Sequence, residues 1–342
     1  MKTPFQLTRR HLLGSMGTLA VASVAASLPL RARAASVSLR LAVPDPADSS
    51  VGRAASRFAE LVAEKTGGDV AIQVFPDGIL YGKDQNAAVN QLGSGALDGL
   101  ILASSVYASF EPKMNAISLP YLFSDYDQLQ GYLGGAPGAE LLASLERLNI
   151  KGLGFFLRTF RNVTTREQVI TKAEDFKGIT LRTPNNPLFV RLFQALGANP
   201  TPMAFSEVYS ALQLKAIDGQ ENPVEVPWNN RLYEVQGQLN LTRHLADSFL
   251  VGLSSAAWSK IPAEHQAAVQ AAASEMIAEH DAQEIAQEAE IITKLQGAGM
   301  QVNEFAEGEL AKVQEIARSI YPDFEAQIGA DFMKQSLAFV QA

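Results

Sequence analysis

The chain has 342 residues, of which 47% are hydrophobic and 19% charged, as is typical of a globular protein long enough for about two domains. Its formal net charge of −8 argues against nucleic acid as a partner, since nucleic-acid binding needs a basic surface. Cysteine is absent, which excludes disulfides, thiolate metal sites and a cysteine-linked lipid anchor.

Residues 1–34 predict a twin-arginine signal peptide. Arg9 and Arg10 precede an apolar stretch rich in alanine and serine, and Ala32-Arg33-Ala34 is a suitable cleavage site. An N-terminal membrane anchor is the alternative, but the small residues and the cleavage site favour a signal. Cleavage would remove five basic residues and no acidic one, leaving 23 basic and 36 acidic residues, a net charge of −13. We therefore expect a periplasmic mature protein.

Alternating strands and helices predict a first α/β lobe. A helix is expected over 83–95, and strands are expected over 37–44, 70–76 and 97–103. This alternation favours a largely parallel sheet. We expect the lobe to comprise residues 35–155 together with about 245–262.

A second lobe is expected over residues 156–244. The segments KGLGFFL (151–157) and GITLR (178–182) have the pattern of strands. Asn186-Pro187 predicts a helix start, with asparagine as the N-cap and proline as the first helical residue. Ser206 is expected to begin a further helix.

The two predicted lobes share a short sequence pattern. GALDGLI (95–101) and KAIDGQE (215–221) each finish a helix, turn at Asp-Gly and enter a strand. The repeat favours a duplicated architecture, although a common turn chemistry would give the same pattern.

The segment from Pro262 to Gln296 is rich in Ala, Glu and Gln and contains neither glycine nor an interior proline. It predicts either one helix of about 35 residues, roughly 50 Å long, or two shorter helices with a bend. We expect residues 262–342 to supply this helix and C-terminal segments that pack on both lobes.

Motifs of catalysis and of cofactor or metal binding are missing. There is no H-E-x-x-H, no G-x-S-x-G and no Walker sequence. Beyond the predicted signal the histidines are His244, His265 and His280, and no two of them are four residues apart. The sequence therefore predicts no enzyme, no cofactor and no metal site. His244 could contact a ligand or serve a structural hydrogen bond.

Arginines follow the predicted strands of the second lobe. Arg182 ends one strand, and Arg158 and Arg161 follow another. In open α/β sheets the carboxyl ends of the strands face the ligand crevice. A guanidinium can bind a carboxylate through two parallel hydrogen bonds, so the pattern predicts a site for a small organic anion.

Other side chains could complete such a site. Asn222 follows the second Asp-Gly turn, and Phe205 and Trp228 could form aromatic walls. The competing explanation is that the arginines pair with acidic neighbours such as Glu174 or Asp175.

Residues 181–223, from LRTPNN to QENP, resemble the signature of DctP-type solute-binding proteins of TRAP (tripartite ATP-independent periplasmic) transporters. LPYLFSDYDQL (119–129), FRNVTT (160–165) and LYEVQGQLNLTRH (232–244) also stand in the family's order. The resemblance implies two α/β lobes that close on a ligand, with a long helix along both. It also implies delivery to a membrane permease, driven by an ion gradient rather than ATP.

The resemblance also assigns site residues. It implies that Arg182 fixes the ligand carboxylate and that Arg161, Asn222 and Phe205 are further contacts. Weaker candidates are Arg158, Asn90, Gln85 and Trp228. Many members carry an acid or glutamine where this chain has Asn90, and ILASSVY (101–107) has no acid, which disfavours sialic acid as the ligand.

Two alternatives stay open from the sequence, an ABC-type organic-anion binding protein and an exported α/β enzyme acting on organic acids. The ligand itself is undetermined. Monocarboxylates such as lactate or 2-oxo acids, C4-dicarboxylates and sugar acids all fit the predicted arginine site.

Overall fold

The computed structural model describes residues 35–341, so the predicted signal peptide lies outside the described residues. The strands in this part of the chain are β1 Val37–Ala42, β2 Val70–Phe75, β3 Gly99–Ala103, β4 Ile150–Leu157, β5 Arg161–Thr165, β6 Thr180–Thr183, β7 Asn199–Pro202, β8 Gly219–Asn222, β9 Gln238–Leu245, β10 Ser248–Ser254 and β11 Gln301–Asn303. The α-helices are α1 Ser50–Lys65, α2 Gln85–Ser94, α3 Ser104–Tyr107, α4 Tyr126–Gly134, α5 Ala136–Ser144, α6 Pro187–Ala195, α7 Val208–Gln213, α8 Glu225–Asn229, α9 Ser255–Lys260, α10 Ala263–Gly297, α11 Glu309–Arg318, α12 Tyr321–Ile328 and α13 Ala330–Phe339.

Two mixed sheets form the cores of two lobes. The first sheet has the order β2-β1-β3-β10-β4, and the second has the order β11-β9-β5-β8-β6-β7. This confirms the predicted two-lobed α/β fold. The first sheet is less parallel than predicted, because β10 enters it from the second lobe and runs antiparallel to both β3 and β4. The strand KGLGFFL, which the sequence analysis assigned to the second lobe, is β4 and lies in the first sheet, where it pairs with β10. The predicted lobe boundaries stay a prediction.

The two sheets repeat one topology. β1 pairs in parallel with β2 and β3, and β6 pairs in parallel with β7 and β8. Leu41 of β1 is opposite Gly99, and Leu181 of β6 is opposite Gly219. The matching register places Arg182 of the second lobe at the position that Ala42 occupies in the first.

The two Asp-Gly turns play the same part in both lobes. The Asp98 carboxylate accepts a hydrogen bond from a backbone N–H of β1 at 3.1 Å, and the Asp218 carboxylate accepts one from a backbone N–H of β6 at 2.8 Å. At Gly219 a Cβ would stand 2.3 Å from the carbonyl oxygen of Thr164 on the neighbouring strand. The acid therefore joins two strands at their ends, and glycine permits their close approach.

Of the two helix starts predicted in the second lobe, one is correct and one is wrong. Asn186 is the N-cap of α6, where its side chain accepts a hydrogen bond from the Leu188 N–H, and Pro187 is the first helical residue, as predicted. Ser206 does not begin a helix as a cap. It lies in a 3-10 turn, Phe205–Glu207, and α7 begins after it at Val208.

The α10 helix is a single helix of 35 residues, so the alternative of two shorter helices is wrong. Its first half buries Val269 and Met276 in the core of the first lobe, and its last turns bury Ile291 and Leu295 in a cluster of the second. The chain itself crosses between the sheets at residues 158–160 and 246–247. None of the described helices is long and apolar enough to cross a membrane.

Candidate ligand-binding site

A cavity lies between the two lobes, at the carboxyl ends of β1, β3 and β6. It brings together six of the eight predicted site residues, namely Arg182, Arg161, Asn222, Phe205, Arg158 and Gln85. It does not include Asn90 or Trp228. Asn90 lies on the exposed face of α2, and Trp228 packs against Tyr233, with ring centroids 5.4 Å apart.

Two of the three arginines are already paired with buried acids. Arg161 donates from Nε to Glu221 at 2.6 Å and from Nη1 to Asp247 at 2.8 Å. Arg158 donates from Nη2 to Glu225 at 3.0 Å and from Nη1 to Asp247 at 3.1 Å. Burial acts to lower the pKa of Arg161, but the two carboxylates outweigh it and raise that pKa. The Arg161 guanidinium therefore stays charged, and the hydrogen-bonding capacity of both guanidinium groups is largely used by these acids.

The competing explanation, that the arginines pair with acidic side chains of the protein, therefore holds for Arg158 and Arg161. The acids differ from those expected. Glu174 and Asp175 lie elsewhere, and the Asp175 carboxylate accepts a hydrogen bond from the Thr171 N–H at 2.9 Å. Arg161 remains on the cavity wall, and its contact with a ligand stays a prediction.

Asp247 is the residue that the sequence analysis missed most plainly. Its carboxylate also accepts hydrogen bonds from the hydroxyls of Ser104 at 3.1 Å and Ser105 at 3.2 Å. Because Asp247 and Arg158 stand in the two crossing segments, their ion pair fastens one segment to the other beneath the cavity. A lone acid between two apolar strands, in the segment LADSF, was the available signal.

His244 has a structural role. It is fully buried, its Nε2 lies 3.1 Å from Glu221 Oε2, and its Nδ1 lies 2.8 Å from the Thr242 hydroxyl. Burial lowers the pKa of the imidazole, which keeps it neutral beside Arg161. It is not among the residues that line the cavity.

Asn222 supports the arginine network from β8. Its side-chain oxygen accepts a hydrogen bond from Arg161 Nη2 at 3.1 Å, and its Nδ2 donates to Gln220 at 2.6 Å. The amide therefore fixes the orientation of Arg161 at the cavity wall.

Arg182 differs from the other two arginines. It is 4% exposed, and its Nε and Nη2 both donate to the Met203 carbonyl, at 3.2 and 2.8 Å. No carboxylate of the described residues lies within ion-pair distance of it, and the ring of Phe205 lies 5.7 Å from the guanidinium carbon. Burial lowers its pKa to about 10, which still leaves it charged at neutral pH.

The free edge of Arg182 defines what the site can bind. Nε and one N–H of Nη2 are directed at the Met203 carbonyl, which leaves Nη1 and the second N–H of Nη2 without a hydrogen bond to any described residue. A carboxylate matches this edge with two parallel hydrogen bonds. Among residues 35–341 no group of His, Asp and Glu side chains could hold a metal ion.

The family model of DctP, described as bacterial extracellular solute-binding protein, family 7, matches residues 42–327. The 2,3-diketo-L-gulonate-binding periplasmic protein YiaO of Escherichia coli (strain K12) is 34% identical over 241 residues, 70% of this chain and 73% of the relative. The C4-dicarboxylate-binding periplasmic protein DctP of Vibrio cholerae is 30% identical over 289 residues, 84% of this chain and 86% of the relative.

Solved structures agree with these relatives. The sugar acid binding protein DctPAm of Advenella mimigardefordensis, in complex with galactonate, superimposes with a TM-score of 0.85 at 28% identity, covering 89% of this chain and 97% of that chain.

Proposed function

The chain belongs to the DctP family, and from this premise we propose that Arg182 binds the carboxylate of the ligand. Proteins of this family are periplasmic solute-binding components of TRAP transporters and not enzymes, and this chain captures a small organic acid. Neither the ABC-type alternative nor an exported enzyme is favoured by these relatives. The observation that carries the proposal is the free guanidinium edge of Arg182 on the cavity wall.

The mechanism follows from the cost of an unpaired buried charge. A ligand carboxylate loses its hydration in the cavity, and this is unfavourable unless a fixed donor pair replaces the water. Arg182 supplies the pair, and the half-buried Phe205 ring beside it excludes water. Because the cavity walls come from both lobes, the ligand binds the closed arrangement more tightly and shifts the population toward it. Asn222 and Arg161 supply further contacts around the ligand carboxylate.

Substitution of Arg182 tests the assignment. Arg182→Ala is expected to weaken binding by about 3–5 kcal/mol, at least roughly 100-fold, because the ligand charge would be left unpaired. Arg182→Lys is expected to lose much of the affinity as well, because lysine cannot form the parallel pair. Calorimetry against a panel of carboxylates measures both. Arg191→Ala is the matched control, since Arg191 is half-exposed and pairs with Asp323 outside the cavity. Wild-type affinity in Arg182→Lys would contradict the two-bond geometry.

We also propose that the loaded protein delivers its acid to TRAP membrane permease subunits, and that a twin-arginine signal exports it. The support for export is the pair Arg9 and Arg10 ahead of the apolar stretch. Replacement of both by lysine is expected to retain uncleaved precursor in the cytoplasm, as measured by immunoblots of cell fractions. Normal periplasmic yield of that variant would contradict the twin-arginine route.

A further inference from the structure

The first-lobe wall of the cavity carries an acid that the carboxylate-binding mechanism does not use. Asp45 lies just beyond β1, in the segment VPDP, between Pro44 and Pro46. Proline fixes its own φ and confines the residue before it to extended conformations. The Asp45 carbonyl also accepts a hydrogen bond from the Asp77 N–H at 3.0 Å. The backbone thus holds this side chain at the cavity with little freedom.

The Asp45 carboxylate makes no hydrogen bond or ion pair with any described residue, although Asp45 is half-buried. Burial raises its pKa to about 6; the charge of Arg158 acts against this rise, and the charges of Glu225 and Asp77 add to it. Arg158 cannot serve as its partner, because that guanidinium is bonded to Glu225 and Asp247. An acceptor with unused capacity therefore faces the cavity.

Two neighbouring side chains also have unused hydrogen-bonding capacity. The Gln85 amide makes no side-chain hydrogen bond within residues 35–341, and it lines both the cavity and a second cavity that shares Pro44 and Phe205 with it. Tyr81 lines this second cavity, and its hydroxyl is buried without a hydrogen-bond partner among the described residues. This wall can therefore both accept and donate hydrogen bonds.

Charge decides which ligand group suits this wall. The buried network beneath the cavity already holds three carboxylates against two guanidinium groups, and Arg182 and Asp45 add one charge of each sign. A second ligand carboxylate near Asp45 would meet like charge at a partly desolvated position. A hydroxyl instead donates to a carboxylate in a short, charge-assisted hydrogen bond.

We propose that Asp45 and Gln85 bind hydroxyl groups at the end of the ligand remote from its carboxylate. The substrate class is then polyhydroxylated monocarboxylic acids, such as aldonic and uronic acids, and not dicarboxylates. This inference rests on the proposed function, because it takes Arg182 to hold the single carboxylate.

Ligands with six carbon atoms separate the possibilities. Four hydroxy acids, D-gluconate, D-galactonate, D-glucuronate and D-galacturonate, are compared by calorimetry with hexanoate, adipate and 6-aminohexanoate on protein stripped of ligand by unfolding and refolding. At least one hydroxy acid is expected to bind about 100-fold or more tightly than the three chains without hydroxyls. Ligands without hydroxyls would leave the polar side chains of such a site without hydrogen-bond partners.

Substitution of Asp45 completes the test. Asp45→Asn is expected to weaken hydroxy-acid binding about tenfold, to leave hexanoate unchanged and to strengthen adipate, because the charge is lost while the side-chain size is kept. Asp48→Asn is the matched control. It makes the same charge change three residues away, at an exposed residue outside the cavity lining.

The outcomes distinguish this inference from the proposed function. Tighter binding of adipate or 6-aminohexanoate than of every hydroxy acid, or unchanged hydroxy-acid affinity in Asp45→Asn, overturns the role of Asp45 and leaves Arg182 as the carboxylate site. If the wild-type protein binds none of the acids, or binds them equally well after Arg182→Ala, the proposed function fails and the inference falls with it.

Discussion

Arg182 and Asp45 each keep a charge in the cavity without a partner of opposite sign from the described chain. Folding gains nothing from such groups, because a charge removed from water is unfavourable unless it is paired. The other buried charges of the site, on Arg158, Arg161, Glu221, Glu225 and Asp247, are paired with one another. The two unpaired residues therefore lower stability, and the proposed ligand contacts would supply the partners that they lack.

The destabilisation that Asp45 causes depends on pH. The folded protein holds the Asp45 proton up to a pKa of about 6, against an ordinary value of 3.8. Between these values the folded state binds more protons than the unfolded state, so this group lowers stability as pH rises toward 6 and has no further effect above it. Asp45→Asn removes the effect. We expect its melting temperature without ligand to exceed that of wild type by a margin that grows from pH 4 to pH 7 and then levels.

Thermal unfolding at a series of pH values measures that margin. The Asp48→Asn variant should show no such growth, since Asp48 is exposed. A margin for Asp45→Asn that is the same at pH 4 and pH 7 would mean that the Asp45 carboxyl is not destabilised by the fold.

At the scale of elements, Asn186 at the start of α6 has two roles. The Asn186 side chain caps the helix through Leu188 N–H at 2.9 Å. Its Nδ2 reaches the first lobe, where it donates to the Ser105 carbonyl at 3.1 Å and to Asn115 at 2.9 Å. The same side chain therefore stabilises a helix and joins the two lobes beside the cavity.

Two substitutions separate these roles. Serine at 186 retains a cap acceptor but cannot reach across, whereas alanine loses both functions. We expect Asn186→Ala to lower the free energy of unfolding by about 1 kcal/mol more than Asn186→Ser in urea denaturation. Both should weaken acid binding by a similar factor in calorimetry, because both lose the bonds between the lobes. Equal stability of the two variants would show that the cap contributes nothing.

Elements of this kind were predictable because their signals are local. The Asn-Pro start of α6, the Asp-Gly turns and the strand of Leu181 and Arg182 all depend on residues a few positions apart. Pairing partners were not predictable in this way. Arg161 and Asp247 lie 86 positions apart, and nothing in either segment indicates the other.

At the scale of the whole molecule, two lobes and a site at Arg182 were predicted, the site largely through family resemblance. The sequence analysis did not single out Asp45, since VPDP has no motif and its meaning depends on the opposite lobe. Nor could it show that Asn90 faces solvent, because the face that a helix turns toward a cleft is set by packing of the lobes. Packing between distant parts of the chain, rather than local sequence preference, determines whether Asp45 and Asn90 face the cavity.

The repeated topology places Arg182 and Asp45 on equivalent segments of two different sheets. Arg182 stands on β6, and Asp45 stands in the turn after β1. Replacing the few side chains of the first-lobe wall would change which acid is recognised, while the second lobe and α10 stay as they are. One scaffold carrying a fluorophore at the lobe junction could then be turned into a set of optical sensors for different organic acids, with the proposed lobe closure as their common signal.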